Sequence, residues 1–562
     1  MKKNRSILIL LAVLLAAPVT LAVTLANDGK RGLYMSSIEG VLRLPDEEID
    51  LATAALLLSR EWGANKTPTM YRSKIDDMAE EILARMKEKR IPADYRAIDI
   101  INQYLFKDLG FASLETADNP DDLFLHVVLE RKRGYCLSLS VLYLAIAERI
   151  GLPAYGVVVP GHFFVRYDDG KKQYNIETTS GGAIAADKHY LEKFPPPPGR
   201  ESLYFKTLTP KQTLGCFFNN LGNSYADRGQ LDYAFEYLVK AVQINPSLAE
   251  AHTNLGNVLL RLKRPDEAIA QYEQALSILG PDATNYNNMG NAYLQLSQYE
   301  RAKGLYLKAL KLKKDFVDVY RNLAQAYQGL GELDKALAQM QAAVVLKPTD
   351  AQNFLYLAQL YRKAGRIAQA QTAFSKALDL DPQLASAYTG LGNLSLDQKD
   401  FSGAVSRFQQ SLSIRQDDAE AWFGLALAMH YLDRTNDEIE AYRQVLLIDP
   451  TQSAALQNMG NAYLKLQQAD QAAQCYAKAI QIDPENADLY HNLAVAYANQ
   501  KAYNKAIESY RTALSLSPDN GAIHNGLAIC YYLSGDKASA RKHALAAQKA
   551  GVTVQQELLQ DK

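Results

Sequence analysis

LGNSYADRGQLDYAFEYLVKAVQINP, Leu221–Pro246, sets the period on which most of this 562-residue chain is built. Gly222 opens a series with a constant step of 34 residues: Gly256, Gly290, Ala324, Ala358, Gly392, Ala426, Gly460, Ala494 and Ala528. Twelve residues after each marker, nine of ten positions are alanine, with Glu438 the exception; seven further on, eight of ten are alanine, with Ser411 and Val445 the exceptions. Small residues locked to one period predict that two backbones approach closely once per repeat. Between the markers, Leu221 and Tyr225, then Phe235, Leu238 and Val242, recur at helical spacing, broken by Gly229 and ended by Asn245-Pro246. Each unit is expected to be a helical hairpin, ten of them in one register.

The pattern resembles the tetratricopeptide repeat, a 34-residue helix-turn-helix unit. Tyr225, Tyr293, Tyr327, Tyr361, Tyr463, Tyr497 and Tyr531 stand at its tyrosine position, and Pro246, Pro348, Pro382, Pro450, Pro484 and Pro518 at its proline, so the resemblance covers roughly residues 215 to 554. It implies an α-solenoid with a long concave binding face. Ser395 and Met429 replace the tyrosine in repeats six and seven, where Glu438 also replaces alanine, so the packing seam is expected to be looser there. Two residues before the marker lies a row of amides: Asn220, Asn254, Asn288 and Asn322, then, after Tyr356, Gly390 and Gly424, Asn458 and Asn492. A primary amide is both donor and acceptor, matching a peptide unit without reading its side chain. Similar rows in some proteins of this family hold extended peptides, which implies a protein or extended-peptide partner on the concave face. The plainer alternative is that these amides are solvated or bond a neighbouring repeat.

The chain begins MKKNRSILILLAVLLAAPVTLAVTLA, a basic start, an apolar run and small residues after Pro18. Residues 1–26 are expected to be a signal peptide or an N-terminal membrane anchor, and the protein to be exported: periplasmic, or anchored to the inner membrane facing the periplasm. Membrane contact is expected only through that segment. Lys+Arg 61 against Asp+Glu 62, a net charge of −1, gives no electrostatic basis for nucleic acid binding. Four cysteines, Cys136, Cys216, Cys475 and Cys530, are too scattered for a disulfide framework and are expected to be mostly free thiols.

Ahead of the repeats, Phe194–Arg200 reads FPPPPGR, a stiff spacer. The expected organisation is a domain over 33–193, a Pro-rich linker over 194–208, ten repeats over 209–554 and a tail over 555–562. Within the domain, Asp46 is expected to cap a helix ending near Arg60, and further helices are expected over Tyr71–Lys89 and about Ala93–Leu109. Chemistry concentrates in 131–179. Leu137–Ile150 is apolar nearly all round, as in a helix buried on several sides, and Gly151 and Pro153 end it. Cys136 falls at its first turn, where unpaired N–H groups favour a thiolate; a buried inert thiol is the alternative. Tyr155–Val159, His162–Tyr167 and Gln173–Glu177 alternate as strands, and a two-residue Asp169-Gly170 turn would set His162 directly opposite Glu177, Phe163 opposite Ile176 and Val165 opposite Tyr174. Such a His–Glu pair orients an imidazole toward a thiol, or is an ordinary cross-strand contact.

RGYCLSLSVLYLAIAERIGLP, PGHFFVRY and YNIETTSGG, in that order, resemble the bacterial core branch of the transglutaminase-like superfamily over roughly residues 46 to 190. The fold class expected is mostly α: an N-terminal α+β transglutaminase-like (papain-like) domain followed by an α-solenoid of ten hairpins. The resemblance implies Cys136 as nucleophile, His162 as general base and acid, and Glu177 as orienting carboxylate, with Asn175 as a weaker alternative orienter. Glu177 stands where the superfamily often has aspartate, and some relatives lack the cysteine, so the fold persists without catalysis. The main expectation is an exported interaction protein whose Cys–His–Glu set performs thiol-dependent amide hydrolysis or acyl transfer on protein substrates; the alternative is a non-catalytic docking domain plus repeat scaffold assembling an envelope complex. No phosphate loop, metal-ligand cluster or dinucleotide fingerprint appears in the sequence, so no cofactor and no metal are expected.

Overall fold

The structure, a computed structural model, describes residues 25–61, 68–114, 119–196 and 204–560. The expected signal or anchor segment falls almost wholly outside these, as does most of the polyproline spacer. Among the described residues, no helix is long and apolar enough to cross a membrane. The chain is mostly helical and divides into two compact units, residues 1–319 and 320–562.

The first unit opens with helices α1 (Ile38–Leu42), α2 (Leu51–Glu61), α3 (Pro68–Glu88), α4 (Ala97–Asn102) and α5 (Leu125–Arg131) and a short parallel pair, β1 (Ala112–Ser113) and β2 (Arg133–Gly134). The helix expected over Ala93–Leu109 is shorter, because α4 widens into a π-helical turn over Gln103–Asp108. Asp46 does not cap α2. Asp50 does, accepting the Thr53 N–H at 2.7 Å, while Asp46 accepts the Lys211 N–H at 3.0 Å, at the start of the first repeat helix. Two acidic residues four apart both suit a helix start, and the local sequence does not say which helix each one serves.

Helix α6 (Cys136–Ile150) lies between α2 and α3 on one side and the sheet on the other. Its Leu139, Val141, Leu142 and Ile146 are buried, each stabilising the fold by roughly 1.5–3 kcal/mol. Near its C-terminal end Arg149 is fully buried between Asp50, at 3.2 Å, and Asp76, at 2.5 Å. Five antiparallel strands follow the order β6-β5-β4-β3-β7, with β3 Ala154–Val159, β4 His162–Asp168, β5 Gln173–Glu177, β6 Ala183–Ala185 and β7 Thr207–Leu208. Between β6 and β7 runs α7 (Asp187–Lys193).

The β4–β5 register corrects the sequence expectation. Val165 pairs with Ile176 and Tyr167 with Tyr174, two residues away from the pairing a two-residue turn would impose. The connection spans residues 169–172 because the Asp169 carboxylate accepts the N–H groups of Lys171 and Lys172 at 2.8 and 2.7 Å, and Gly170 takes φ +76°. These side chain to backbone bonds favour the wider turn. A shift of two preserves the alternation, so every side chain stays on its expected face.

The first repeat is built into the domain. From α8 (Pro210–Asp227), Leu214, Phe217 and Phe218 join the same apolar core as α6, and Phe217 meets Phe124 edge-on at 5.9 Å. The chain continues through α9 (Leu231–Ile244), α10 (Ala249–Arg261), α11 (Pro265–Leu279), α12 (Ala283–Gln295) and α13 (Tyr299–Leu312). The helices after it run from Val317–Gly329 to Lys537–Lys549, and with α8 to α13 they make ten hairpins among the described residues.

At four of the five glycine markers the period has a further physical cause beside close backbones, which Gly222 shows where an added Cβ would meet the Ala234 carbonyl oxygen at 3.2 Å. A Cβ on Gly256 would lie 2.5 Å from the Tyr272 ring, one on Gly290 2.5 Å from Tyr306, one on Gly392 2.6 Å from Phe408 and one on Gly460 2.6 Å from Tyr476. The small residue makes room for an aromatic ring on the second helix of its own hairpin. Where the ring is tyrosine, its hydroxyl donates to the asparagine after the marker: Tyr272 to Asn257 at 2.9 Å, Tyr306 to Asn291 at 2.7 Å, Tyr476 to Asn461 at 2.6 Å. Nor is the seam looser in repeats six and seven. Ser411 is fully buried and hydrogen-bonds Thr389 at 2.8 Å and the Ala385 carbonyl at 3.0 Å, while buried Glu438 pairs with His430 at 3.1 Å.

Candidate thiol site and its cleft

Three neighbouring elements bring the site together: Cys136 is the first residue of α6, His162 the first of β4 and Glu177 the last of β5. Tyr135, immediately before α6, takes an extended backbone and donates its N–H to Ser138 Oγ at 2.9 Å, so the helix begins at the cysteine. The two-residue turn Pro160-Gly161, with Gly161 at φ +70°, returns β4 against β3 and carries His162 to the rim of the sheet.

His162 Nε2 lies 2.7 Å from Glu177 Oε2, and Cys136 lines the same cavity as the ring and acts on its pKa. With Glu177 at Nε2, Nδ1 is the nitrogen left for sulfur. Burial alone would lower the His162 pKa, but the bonds and charges of Cys136 and Glu177 outweigh it and raise the value to about 9. Burial likewise opposes ionisation of Glu177; His162 and Thr179 prevail and hold it at about 2. At that value the ring holds its proton at neutral pH, flanked by the Glu177 carboxylate and the Cys136 sulfur.

Residues that sequence reasoning overlooked hold this arrangement. Glu177 caps the turn that follows it, accepting from the Thr179 N–H at 3.1 Å and from the Thr179 hydroxyl. Thr178 Oγ1 and Ser140 Oγ are 2.9 Å apart, tying the Glu177 end of β5 to α6 one turn beyond Cys136. Phe194 stacks on the His162 ring at 4.5 Å with planes 3° apart, and Tyr190 flanks it at 6.1 Å. The Thr-Thr pair after Glu177 was the available signal for the cap. The ring stacking had none, because Phe194 reads as the start of a spacer. Asn175 plays no part at the imidazole: its Oδ1 accepts from Arg166 at 2.7 Å and its Nδ2 donates to Asp187 at 2.6 Å.

All four cysteines are free, and their surroundings differ. Burial pushes the Cys216 thiol up to about 12 and those of Cys475 and Cys530 to about 11, whereas Cys136 is half-buried beside a cationic ring. Cys136 and His162 open on a cavity of about 390 Å³ whose far side includes Asn220, Asn223 and Asn254 of the first two repeats. Asn220 is exposed; Asn254 is half-buried and donates to Asn219 Oδ1 at 2.9 Å, and Asn288 donates to Asn257 Oδ1 at 2.9 Å, each reaching back to the preceding repeat. In the second unit Asn322, Asn458 and Asn492 are half-buried. Among the described residues no cluster of His, Cys, Asp or Glu is placed to hold a metal ion.

Residues 69–211 match the model of the transglutaminase-like superfamily. Tetratricopeptide-repeat models match 213–280, 247–315, 287–351, 390–454 and 487–520, and the TPR-repeat model matches 358–399 and 460–501. The chain therefore carries a transglutaminase-like domain followed by tetratricopeptide repeats. It is 28% identical over 217 residues to a UPF0162 protein of Xylella fastidiosa (37% of this chain, 75% of that protein) and 23% identical over 213 residues to one of Pseudomonas aeruginosa (37% and 77%). It is also 36% identical over 83 residues to F-box only protein 21 of Mus musculus (15% and 13%). A solved structure of YrrB, described as a TPR protein with an unusual peptide-binding site, aligns at a TM-score of 0.31 and 22% identity, covering 33% of this chain and 95% of that one.

Proposed function

We propose that this chain is a docking protein: the repeats hold a partner polypeptide on the face that carries the asparagines, and the transglutaminase-like domain is part of the same docking body. The observation that carries this reading is the shared core of domain and first repeat, in which Phe217 and Phe218 are buried with Phe124. Interaction repeats occupy most of the chain, and a docking role uses surface alone. Export through residues 1–26, to the periplasm or the periplasmic face of the inner membrane, belongs to the proposal; mass measurement of the N-terminus of protein from its native host tests it, and an intact Met1 in a cytosolic fraction overturns it.

A second reading is favoured by one specific observation, the placement of His162 between Cys136 and Glu177. In it the Cys136 sulfur attacks a carbonyl carbon as the thiolate of a pair with protonated His162, the carbon–nitrogen bond breaks as His162 gives its proton to the leaving amine, and water or an amine then cleaves the thioester, giving a proton to His162 as the thiolate departs. Full-length protein with Cys136→Ala separates the two. Docking alone predicts an unchanged set of co-purifying proteins and unchanged cellular function. The thiol reading predicts that partners are retained but left uncleaved or unmodified, and that function is lost.

A further inference from the structure

The cavity at Cys136 has a second wall that the Cys136–His162–Glu177 cluster does not need. The domain contributes Cys136, His162 and Gly161; the repeats contribute Asn220 and Asn223 from α8 and Asn254 from α10. Because α8 shares the domain's apolar core, the two walls are fixed to each other.

The amides on the repeat side form a relay of defined polarity. Asn254 Nδ2 donates to Asn219 Oδ1 at 2.9 Å, and Asn219 Nδ2 donates to Asn220 Oδ1 at 3.2 Å. The relay ends in an acceptor, Asn254 Oδ1, and a donor, Asn220 Nδ2, neither of which has another side-chain hydrogen-bond partner among the described residues. One acceptor and one donor are what a peptide unit requires for its N–H and C=O. Asn223, exposed one turn along α8, extends the same surface. The lining carries Asp282 and Glu250, the latter with its ionisation opposed by burial, against one cation, the His162 ring, and among the described residues no lysine or arginine, so an acidic occupant finds no excess of positive charge. The cavity volume falls within the range of pockets that enclose a ligand.

We infer that this cleft binds an extended polypeptide segment of neutral or basic character, its backbone on the asparagine relay of the first two repeats and one of its carbonyls at Cys136. The inference deepens the docking reading by naming the site and the ligand class, and it stands whether or not the thiol is reactive.

The test compares two alkylating probes with the same reactive end on the full chain: pooled short neutral peptide chloromethyl ketones and chloroacetone, which has no peptide unit. In each, the Cys136 sulfur displaces chloride to form a carbon–sulfur bond, and labelling of Cys136 is read by mass spectrometry. The ratio of the two rates reports the wall and cancels the thiol's own reactivity. The peptide pool is expected to label about tenfold faster, the size of one to two net hydrogen bonds, and an acidic pool to lose that advantage. Asn220→Ala with Asn223→Ala, both exposed, and separately Asn223→Trp, which fills the cleft, are expected to bring the ratio close to one by slowing the peptide pool, while the chloroacetone rate and the unfolding midpoint stay unchanged. A ratio near one in the wild type, or one indifferent to both variants, overturns the inference. Slow labelling by both probes with the ratio intact counts against the thiol reading only. Co-purifying partners that persist in a protein with no peptide advantage leave the docking reading standing without this cleft.

Discussion

His162 Nε2 and Glu177 Oε2 meet at 2.7 Å although the two residues are not opposite each other in the β4–β5 ladder. Continuing the observed register would set His162 beside Thr179, so Glu177 reaches across a diagonal, a distance that long side chains span and short ones do not. Glutamate at 177 is thereby explained: the extra methylene relative to aspartate is what closes the contact. Glu177→Asp and Glu177→Gln are both expected to lower the ring pKa from about 9 by at least about one unit, the first by withdrawing the charge and the second by removing it. An NMR titration of the His162 ring measures this, and an unchanged midpoint in Glu177→Asp contradicts the diagonal argument.

The same pair makes stability depend on pH in two windows. His162 holds its proton up to about 9 in the folded chain, against about 6.5 unfolded, so its stabilisation is complete below about 6.5 and lost as pH rises through about 9. Glu177 behaves in the opposite sense: its stabilisation is present above the ordinary carboxylate range and lost as pH falls through about 2. The difference in urea midpoint between wild type and His162→Gln is therefore expected to be larger at pH 6 than at pH 10. The part owed to stacking on Phe194 remains at both. A difference that does not change with pH would mean that the ring is neutral in the folded protein.

Much of this architecture is legible in the sequence because it is periodic. A 34-residue step of small residues leaves little choice but hairpins, and alternation along β4 and β5 assigns each residue a face even when the turn length is misjudged, as the side-chain period is two. Cys136 was legible at a helix start because Gly151 and Pro153 fix the other end. What was not legible depends on contacts distant in sequence. Asp46 serves α8 rather than α2, Phe194 lies on the imidazole despite sitting beside a proline run, and Asn220 and Asn254 share a cavity with Cys136, which no local pattern encodes. The second asparagine column, Asn257, Asn291 and Asn461, was printed in the sequence as a recurrent Gly-Asn pair, but its purpose becomes visible only when the tyrosine hydroxyls arrive.

The glycine markers make a contrast within one helical hairpin array. Gly256→Ala puts a methyl 2.5 Å from the Tyr272 ring, which the surrounding helices hold in place, so a loss of about 1–3 kcal/mol is expected. Gly304, inside α13, has nothing within 4 Å of an added Cβ, and Gly304→Ala is expected to stabilise by about 0.5–1 kcal/mol through helix propensity. Denaturant melts of the two variants decide the matter. Equal effects, or the same sign, would show that the ring does not set the repeat seam.

Arg149 tests whether the scaffold and the thiol site are separable. Its guanidinium is fully buried and bonded to Asp50 and Asp76, and Asp50, held below the ordinary carboxylate range in spite of burial by Arg149, Thr53 and Asn27, also caps α2. Removing one member of such a set leaves a buried charge without its partner, so Arg149→Ala is expected to cost about 3–5 kcal/mol, read as a lower urea midpoint. The two ends of α6 are about 20 Å apart at the rise of an α-helix, and Cys136 is held at its own end by Ser138, Ser140 and the His162 hairpin. Iodoacetamide labelling of Cys136 in the folded Arg149→Ala protein is accordingly expected to keep its wild-type rate, while His162→Ala is expected to slow that labelling at neutral pH without matching the stability loss. If Arg149→Ala slowed labelling as much as His162→Ala, the ion cluster and the thiol site would be one cooperative element, and the cysteine's environment would depend on the whole of α6 rather than on the imidazole beside it.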